Sequence, residues 1–300
     1  MAGSYSDFSY GELDTQLTAA IEWLLSLGTR IESTRIQRYR KSMDDLLRLY
    51  DANDYQEGER RRPEFVNLLL EAHELLELHR GLAGITIPDT LLSRLRMLSR
   101  GPDSYAEENP ASGNAGRNAG FELMVASLVA QAGLPVESIG TTDVSTTIGN
   151  KRIAIECKRP HSEGSVERNR DKAFKQLKKK YSGLDGAHTR GIVALDLTRA
   201  VSPDFAFRRY TETEELQEWL NETMASLLER CVPDGFEPPH RKNIALLIRF
   251  TAMGVPMQEG GRIVYCQQYA ITSFGSSRQG DRDLAHEFAD TIEATRPVKL

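Results

Sequence analysis

Apolar side chains recur every three or four positions through the first hundred residues, which is the spacing that places them on one face of a helix. The first stripe is followed by Gly28, a residue suited to a helix C-terminal cap, and comprises Leu13, Leu17, Ala20, Ile21 and Leu24. Further stripes cover 36–47, 63–76 and 89–100, the second of these beginning at Pro63. Four amphipathic helices in succession predict an all-α lobe over residues 1–100.

The pattern changes in residues 101–120, which read GPDSYAEENPASGNAGRNAG and carry almost no bulky apolar side chains. This composition predicts a linker or surface loop, and we place a domain boundary there. Beyond it, strand-like and helix-like segments alternate. Helices are expected at 118–132, 212–230 and 281–294, and a basic helix is expected to end near residue 181. Strands are expected at 191–197, 243–250 and 262–271. This alternation predicts an α/β domain over residues 121–300.

A β-hairpin is predicted within residues 141–160, TTDVSTTIGNKRIAIECKRP. Gly149-Asn150 suits a two-residue turn because both residues tolerate positive φ. If the residues flanking this turn pair with each other, the same register places Asp143 opposite Glu156. Side chains alternate along a strand, so Lys158 shares their face. Two acids and an amine are therefore expected to converge.

The two faces of this hairpin differ in character. Its other face is almost wholly apolar and collects Val144, Thr146, Ile148, Ile153, Ile155 and Cys157. We expect that face to pack in the core and the charged face to remain free for chemistry. A register shift of one residue would exchange the two sets.

The opposed carboxylates of Asp143 and Glu156 repel each other unless a cation or a proton lies between them. Hard oxygen ligands favour Mg²⁺, with Mn²⁺ as a related ion. A neighbouring lysine can orient a water molecule or stabilise negative charge on a phosphoryl group. The alternative is a solvated polar face on which Glu156 and Lys158 form an ordinary ion pair.

These residues resemble the PD-(D/E)xK nuclease superfamily, over roughly residues 121–197. The resemblance implies a restriction-endonuclease-like mixed sheet flanked by helices. It implies metal binding by Asp143, Glu156 and the backbone carbonyl of Cys157, with Lys158 as the catalytic lysine. Thr142 stands where many members have proline. The first hundred residues match no family that we can name.

Two further residues match the superfamily pattern. Glu122 resembles the acidic residue that many members place on the preceding helix, where it joins the catalytic and metal-binding set. Gln176 resembles a catalytic glutamine found one helix downstream in several branches. The alternatives are a solvent-facing acid at the start of a helix for Glu122 and a surface amide for Gln176.

Charge is unevenly distributed along the chain, whose formal net charge is -5. Residues 151–180 hold eleven Lys or Arg against four acids, a local excess of seven positive charges. Four of these cations fall at helical spacing: Arg168, Lys172, Lys175 and Lys179. They suit contacts with a nucleic-acid backbone, although a charge run can also be a solvated face.

Only three cysteines occur, without the spacing of a zinc site or a disulfide framework, which favours a reducing, cytoplasmic compartment. We expect no membrane span and no secretory signal.

The combined expectation is an Mg²⁺- or Mn²⁺-dependent endonuclease that hydrolyses phosphodiester bonds. DNA is the expected substrate, and an RNA nuclease is an alternative that only a panel of substrates can exclude. By fold-level analogy it would serve a restriction or anti-phage defence system. The N-terminal helices would bind a partner protein, and a homodimer would supply two active sites. The rival hypothesis is a non-catalytic nucleic-acid-binding or assembly subunit that retains the fold.

Overall fold

The strands of the computed structural model form one mixed sheet, and helices cover both of its faces. The structure describes residues 2–6, 9–102, 107, 114–137, 142–181, 184–201, 207–257, 263–275 and 277–295. Within these ranges the strands are β1 (Ala2–Ser6), β2 (Val144–Ile148), β3 (Lys151–Lys158), β4 (Thr189–Asp196), β5 (Phe207–Tyr210), β6 (Asn243–Pro256) and β7 (Val264–Ser273). The helices are α1 (Tyr10–Ser26), α2 (Arg35–Asp51), α3 (Tyr55–Arg60), α4 (Arg62–Leu82), α5 (Asp89–Leu98), α6 (Ala115–Gln131), α7 (Val166–Lys180), α8 (Thr198–Val201), α9 (Thr213–Cys231) and α10 (Gln279–Ala294).

The centre of the sheet is parallel and its margins are antiparallel. The strand order is β1-β7-β6-β4-β3-β2, and β5 pairs with the far end of β6. Strand β4 runs parallel to both β3 and β6, whereas β2 and β7 are antiparallel to their neighbours. The α/β prediction is thus confirmed at the level of architecture.

The predicted hairpin register is confirmed. Ile148 pairs with Lys151 and Val144 pairs with Ile155, so each pair encloses the same two-residue turn. Gly149 in that turn has a φ of +55°, a backbone conformation that glycine adopts more readily than residues with a side chain. The apolar face packs as expected, because Val144, Ile153 and Ile155 all belong to one buried cluster.

That cluster also contains the N-terminal helices. Leucines of α1, α4 and α5 share it with residues of α6, the sheet and α10. The helices predicted from the first stripes are present, and α4 begins one residue before Pro63. Helices α4 and α5 pack directly on α6, α4 also reaches β6 and β7, and α1 and α2 pack on α4.

The prediction of an all-α segment over residues 1–100 is wrong at Ala2–Ser6. These residues form β1, an edge strand antiparallel to β7. Main-chain pairing defines the strand, and its sequence AGSYS has no apolar alternation that would have revealed it. The short elements α3, α8 and β5 were missed as well, because each is too brief to show a period.

The predicted linker at 101–120 is only partly described. Residues 103–106 and 108–113 lie outside the described ranges. Helix α6 begins at Ala115, three residues earlier than expected, so 115–120 are helical rather than loop. In the part of the chain that the structure describes, no helix has the length and apolar character needed to cross a membrane.

A second buried cluster fills the opposite face of the sheet. It joins α7 and α9 to side chains of β3, β4, β6 and β7, including Ala154, Phe174 and Leu220. Both faces of the central strands are therefore covered, as is usual for parallel strands.

Candidate active site

Asp143, Glu156 and Lys158 meet where β2 begins and β3 ends. Asp143 immediately precedes β2, and its Oδ2 accepts a 2.8 Å hydrogen bond from the backbone N–H of Cys157. Lys158 Nζ lies 3.6 Å from Asp143 Oδ2 and 3.5 Å from Glu156 Oε2. The two carboxylates thus share one ammonium group, and the convergence expected from the hairpin register is present.

The charged face of the hairpin is not free along its length, contrary to the prediction. Ala154 packs with Phe174 and Leu177 of α7, and Glu156 is 0% exposed. The reason lies in the next strand: β3 pairs in parallel with β4, and a parallel pair requires a crossover connection. Helix α7 belongs to that crossover and covers the face, which leaves only the strand end accessible.

Burial dominates the electrostatics of Glu156. Burial and then the negative charge of Asp143 raise the pKa of this carboxyl, Lys158 opposes both, and together they set the pKa at about 7. Neither carboxylate oxygen of Glu156 accepts a hydrogen bond from the residues that the structure describes. A buried carboxylate without hydrogen bonds is costly, so these oxygens are suited to a proton or to a cation.

Cys157 contributes its main chain rather than its thiol. Its side chain points to the apolar face, where burial raises the pKa of the thiol well above its ordinary value. Its carbonyl oxygen accepts a 2.9 Å hydrogen bond from Lys158 Nζ. The carbonyl therefore lies beside the same ammonium group as the two carboxylates.

Glu122 reaches the cluster from α6, which packs against β2 and β3. Its carboxylate accepts a hydrogen bond from Arg94 Nε, and Arg94 Nη2 lies 3.9 Å from Asp143 Oδ1. Burial and then the charge of Asp143 raise the pKa of Glu122, and Arg94 acts against them. Glu122 is thus an ion-paired, mostly buried acid rather than a solvent-facing residue.

Sequence reasoning missed Arg94. It lies on α5, 28 residues before Glu122, and no local motif links the two. Only the packing of Leu91, Leu95 and Leu98 in the core shared with α6 fixes its position. In the sequence alone, nothing distinguishes Arg94 from the other basic residues on the polar faces of the amphipathic helices.

The residues expected on α7 occupy two different faces. Gln176 is half-buried on the flank of the packed face, and its Oε1 is buried without a hydrogen bond from any described residue. The four predicted phosphate contacts share the opposite, exposed face: Arg168, Lys172, Lys175 and Lys179. Their common orientation agrees with the helical spacing, whereas a contact of Gln176 with the acidic cluster is not seen.

A chain of buried ions adjoins the cluster and was also missed. Arg159, the residue after Lys158, forms an ion pair with Asp196 at the end of β4. Asp196 pairs with Arg249 of β6, and Arg249 contacts Glu74 of α4. These contacts tie the parallel strands β3, β4 and β6 to an N-terminal helix.

The donor atoms at the strand ends fit a magnesium-type ion. Asp143, Glu156 and the Cys157 carbonyl offer only hard oxygen atoms, and Mg²⁺ is commonly held by one or two carboxylates with water completing its shell. The structural observation in favour of an ion here is that both carboxylate oxygens of Glu156 are buried and accept no hydrogen bond from a described residue. Among the described residues, no group of three or more His, Cys, Asp or Glu side chains is arranged to hold an ion.

Comparisons of this chain with protein-family models, with curated proteins and with solved structures gave no match.

Proposed function

We propose that this protein is a metal-dependent nuclease that hydrolyses phosphodiester bonds, with DNA as the preferred substrate. The observation that carries the proposal is the cluster at the ends of β2 and β3. There Asp143 and Glu156 flank one lysine amine, and the oxygens of Glu156 are buried without hydrogen bonds. We also propose that the chain is a member of the PD-(D/E)xK superfamily, which it resembles, and that its sheet has the restriction-endonuclease-like fold.

In the proposed mechanism, Asp143, Glu156 and the Cys157 carbonyl hold Mg²⁺ or Mn²⁺. When bound, this ion would supply positive charge to a phosphoryl oxygen and an activated water molecule. The ammonium group of Lys158 lies within 3.6 Å of both carboxylates. It is therefore close to the proposed position of the ion, where it would donate a hydrogen bond to the attacking water or to the scissile phosphate. Glu122 adds negative charge on the α6 side of the cluster.

The exposed cations of α7 would bind the substrate backbone. Arg168, Lys172, Lys175 and Lys179 lie on one solvent-facing stripe of the helix that covers the cluster. Contacts of this kind hold a nucleic acid without reading its sequence. The proposed substrate would therefore lie along α7 with its scissile bond at the strand ends.

A cleavage assay tests the proposal directly. The purified protein is incubated with plasmid, linear duplex, single-stranded DNA and RNA, with and without Mn²⁺. We expect cleavage of DNA only with the ion, and a loss of at least 100-fold in Glu156→Gln and in Lys158→Met. The exposed positions Glu229 and Lys41 provide matched controls, Glu229→Gln and Lys41→Met, which should cleave normally. Equal activity of both cluster variants and their controls would refute the proposal.

A non-catalytic nucleic-acid-binding subunit is the second candidate. The ion pair of Arg94 with Glu122 favours it, because a guanidinium already neutralises part of the acidic cluster. Calorimetry with Mn²⁺ separates the two candidates. A nuclease should release or absorb heat on binding the ion and lose that signal in Glu156→Gln, whereas a purely structural cluster should give no signal in either protein.

A further inference from the structure

Arg94 places a positive charge within the acidic cluster from a helix outside the region that resembles the nuclease superfamily. Its Nε donates to Glu122, its Nη2 lies 3.9 Å from Asp143 Oδ1, and its Nη1 donates to the Thr90 carbonyl at 3.3 Å. The side chain is 23% exposed. The guanidinium is thus held at three points rather than extended into solvent.

The position of this guanidinium is fixed by packing. Leu91, Leu95 and Leu98 of α5 are buried in the core that also contains α6. Because α5 and α6 pack side by side, Arg94 and Glu122 face each other across a well-packed helix interface. The contact is therefore part of the fold and not a chance meeting of two flexible side chains.

The charges around the cluster show what this contact does. Among the described residues the cluster holds three carboxylates, Glu122, Asp143 and Glu156, against two cations, Arg94 and Lys158. Lys158 contacts Asp143 and Glu156, while Arg94 contacts Glu122 and approaches Asp143. The carboxylate of Glu122 is thus already paired with the guanidinium of Arg94. A divalent ion that binds beside Asp143 would be repelled by the positive charge of the same guanidinium.

We propose that Arg94 competes with a divalent cation for Glu122 and Asp143, so that Arg94 lowers the metal affinity of the site and keeps Glu122 out of the ligand set. The wild-type protein then binds the ion through Asp143, Glu156 and the Cys157 carbonyl. Loss of Arg94 frees Glu122 to become a third carboxylate ligand. This inference rests on the proposed function, because it assumes that Asp143 and Glu156 hold the ion.

The test is a titration of the full-length protein with Mn²⁺, followed by isothermal calorimetry and by electron paramagnetic resonance of the free ion. Arg94→Gln should bind Mn²⁺ about tenfold more tightly than the wild type, since a positive charge near the ion is removed. Arg96 lies two residues away on the same helix and is exposed, so Arg96→Gln makes the same change in net charge. This control should bind as the wild type does. An affinity of Arg94→Gln equal to or weaker than that of Arg96→Gln would overturn the inference.

A second substitution identifies the ligand that is released. In the Arg94→Gln background, Glu122→Gln should return the Mn²⁺ affinity to about the wild-type value, because the freed carboxylate is then absent. A gain that persists without Glu122 would show that Arg94 does not act by holding that residue. If Arg94→Gln does not fold, Arg94→Met removes the same charge while keeping an unbranched apolar side chain, and it should bind more tightly than Arg96→Met.

The outcomes separate this inference from the proposed function. If the wild type and Arg94→Gln both fail to bind Mn²⁺, the metal site itself is wrong and the inference falls with it. If the wild type binds Mn²⁺, loses it in Glu156→Gln and is unaffected by Arg94→Gln, the metal site stands and the inference alone fails.

Discussion

At the scale of single residues, Glu156 has the most distinctive environment in the cluster. It is 0% exposed, lies beside Asp143 and Lys158, and has a pKa raised to about 7 by burial and then by the charge of Asp143. Sequence reasoning identified this residue because the hairpin register could be read from the Gly149-Asn150 turn. The register did not reveal the burial, which depends on α7 packing over the strand.

The shifted pKa of Glu156 predicts how stability depends on pH. A carboxyl group whose pKa is higher in the folded state binds its proton more tightly when the protein is folded. Its contribution to the stability of the folded state is therefore fully present below pH 4.5, the ordinary pKa of a glutamate, and is lost as the pH rises through about 7. For the metal-free protein, we expect Glu156 to lower the free energy of unfolding by on the order of 3 kcal/mol between pH 4.5 and pH 8.

Urea denaturation of the wild type and of Glu156→Gln across this pH range checks that expectation. The variant should lack this part of the pH dependence and should be the more stable protein at pH 8 when a chelator is present. Identical pH profiles would show that Glu156 does not titrate in this window.

At the scale of single elements, α7 has two different faces, which its sequence only partly reveals. Its basic character and its helical spacing were evident, and the four predicted cations do share one exposed face. Its other face packs through Ala173, Phe174 and Leu177 against the sheet. No local pattern predicts that this helix covers Glu156, because the pairing of β3 with β4 is a long-range contact.

The exposed face of α7 predicts a salt-dependent binding defect. Replacing Lys172, Lys175 and Lys179 together by glutamine should weaken DNA binding uniformly across sequences. The slope of log affinity against log salt should fall in magnitude by about 2 to 3, since each phosphate contact contributes about 0.9. Fluorescence anisotropy with a labelled duplex at several salt concentrations measures both quantities.

The control removes the same number of charges elsewhere. Arg38, Lys41 and Arg48 are exposed on α2, and their replacement by glutamine should leave the slope nearly unchanged. A similar loss in both triple variants would indicate a general effect of net charge rather than an interface on α7.

At the scale of the whole molecule, buried ion pairs join the N-terminal helices to one another, to α6 and to the sheet. Glu71 of α4 pairs with Arg35 of α2 and with Arg117 of α6. Arg249 of β6 pairs with Asp196 and, across to α4, with Glu74. The residues on either side are distant in sequence, so no local pattern could predict that the N-terminal helices and the sheet share these contacts.

The network predicts that its central residue matters for stability. Arg249→Met leaves Glu74 and Asp196 without this partner in the interior, and we expect the free energy of unfolding to fall by about 3–5 kcal/mol. Arg230 pairs with Glu163 at 2.7 Å, but both side chains are more than half exposed. Arg230→Met should therefore cost no more than about 1 kcal/mol. Equilibrium denaturation of the two variants should separate them, and equal losses would contradict the assigned role of the network.

The sequence alone determined the features that depend on neighbouring residues. The helical stripes, the hairpin, its register and the segregation of basic charge all follow from spacing along the chain, because side-chain direction repeats with a short period in helices and strands. Those regularities were sufficient to bring Asp143, Glu156 and Lys158 together. The tertiary structure decided which strands lie side by side, which face α7 covers, and which distant cation reaches the acids. Arg94 meets Glu122, and Arg249 meets Glu74, only because packing brings remote elements into contact, and such contacts leave no periodic trace in the sequence.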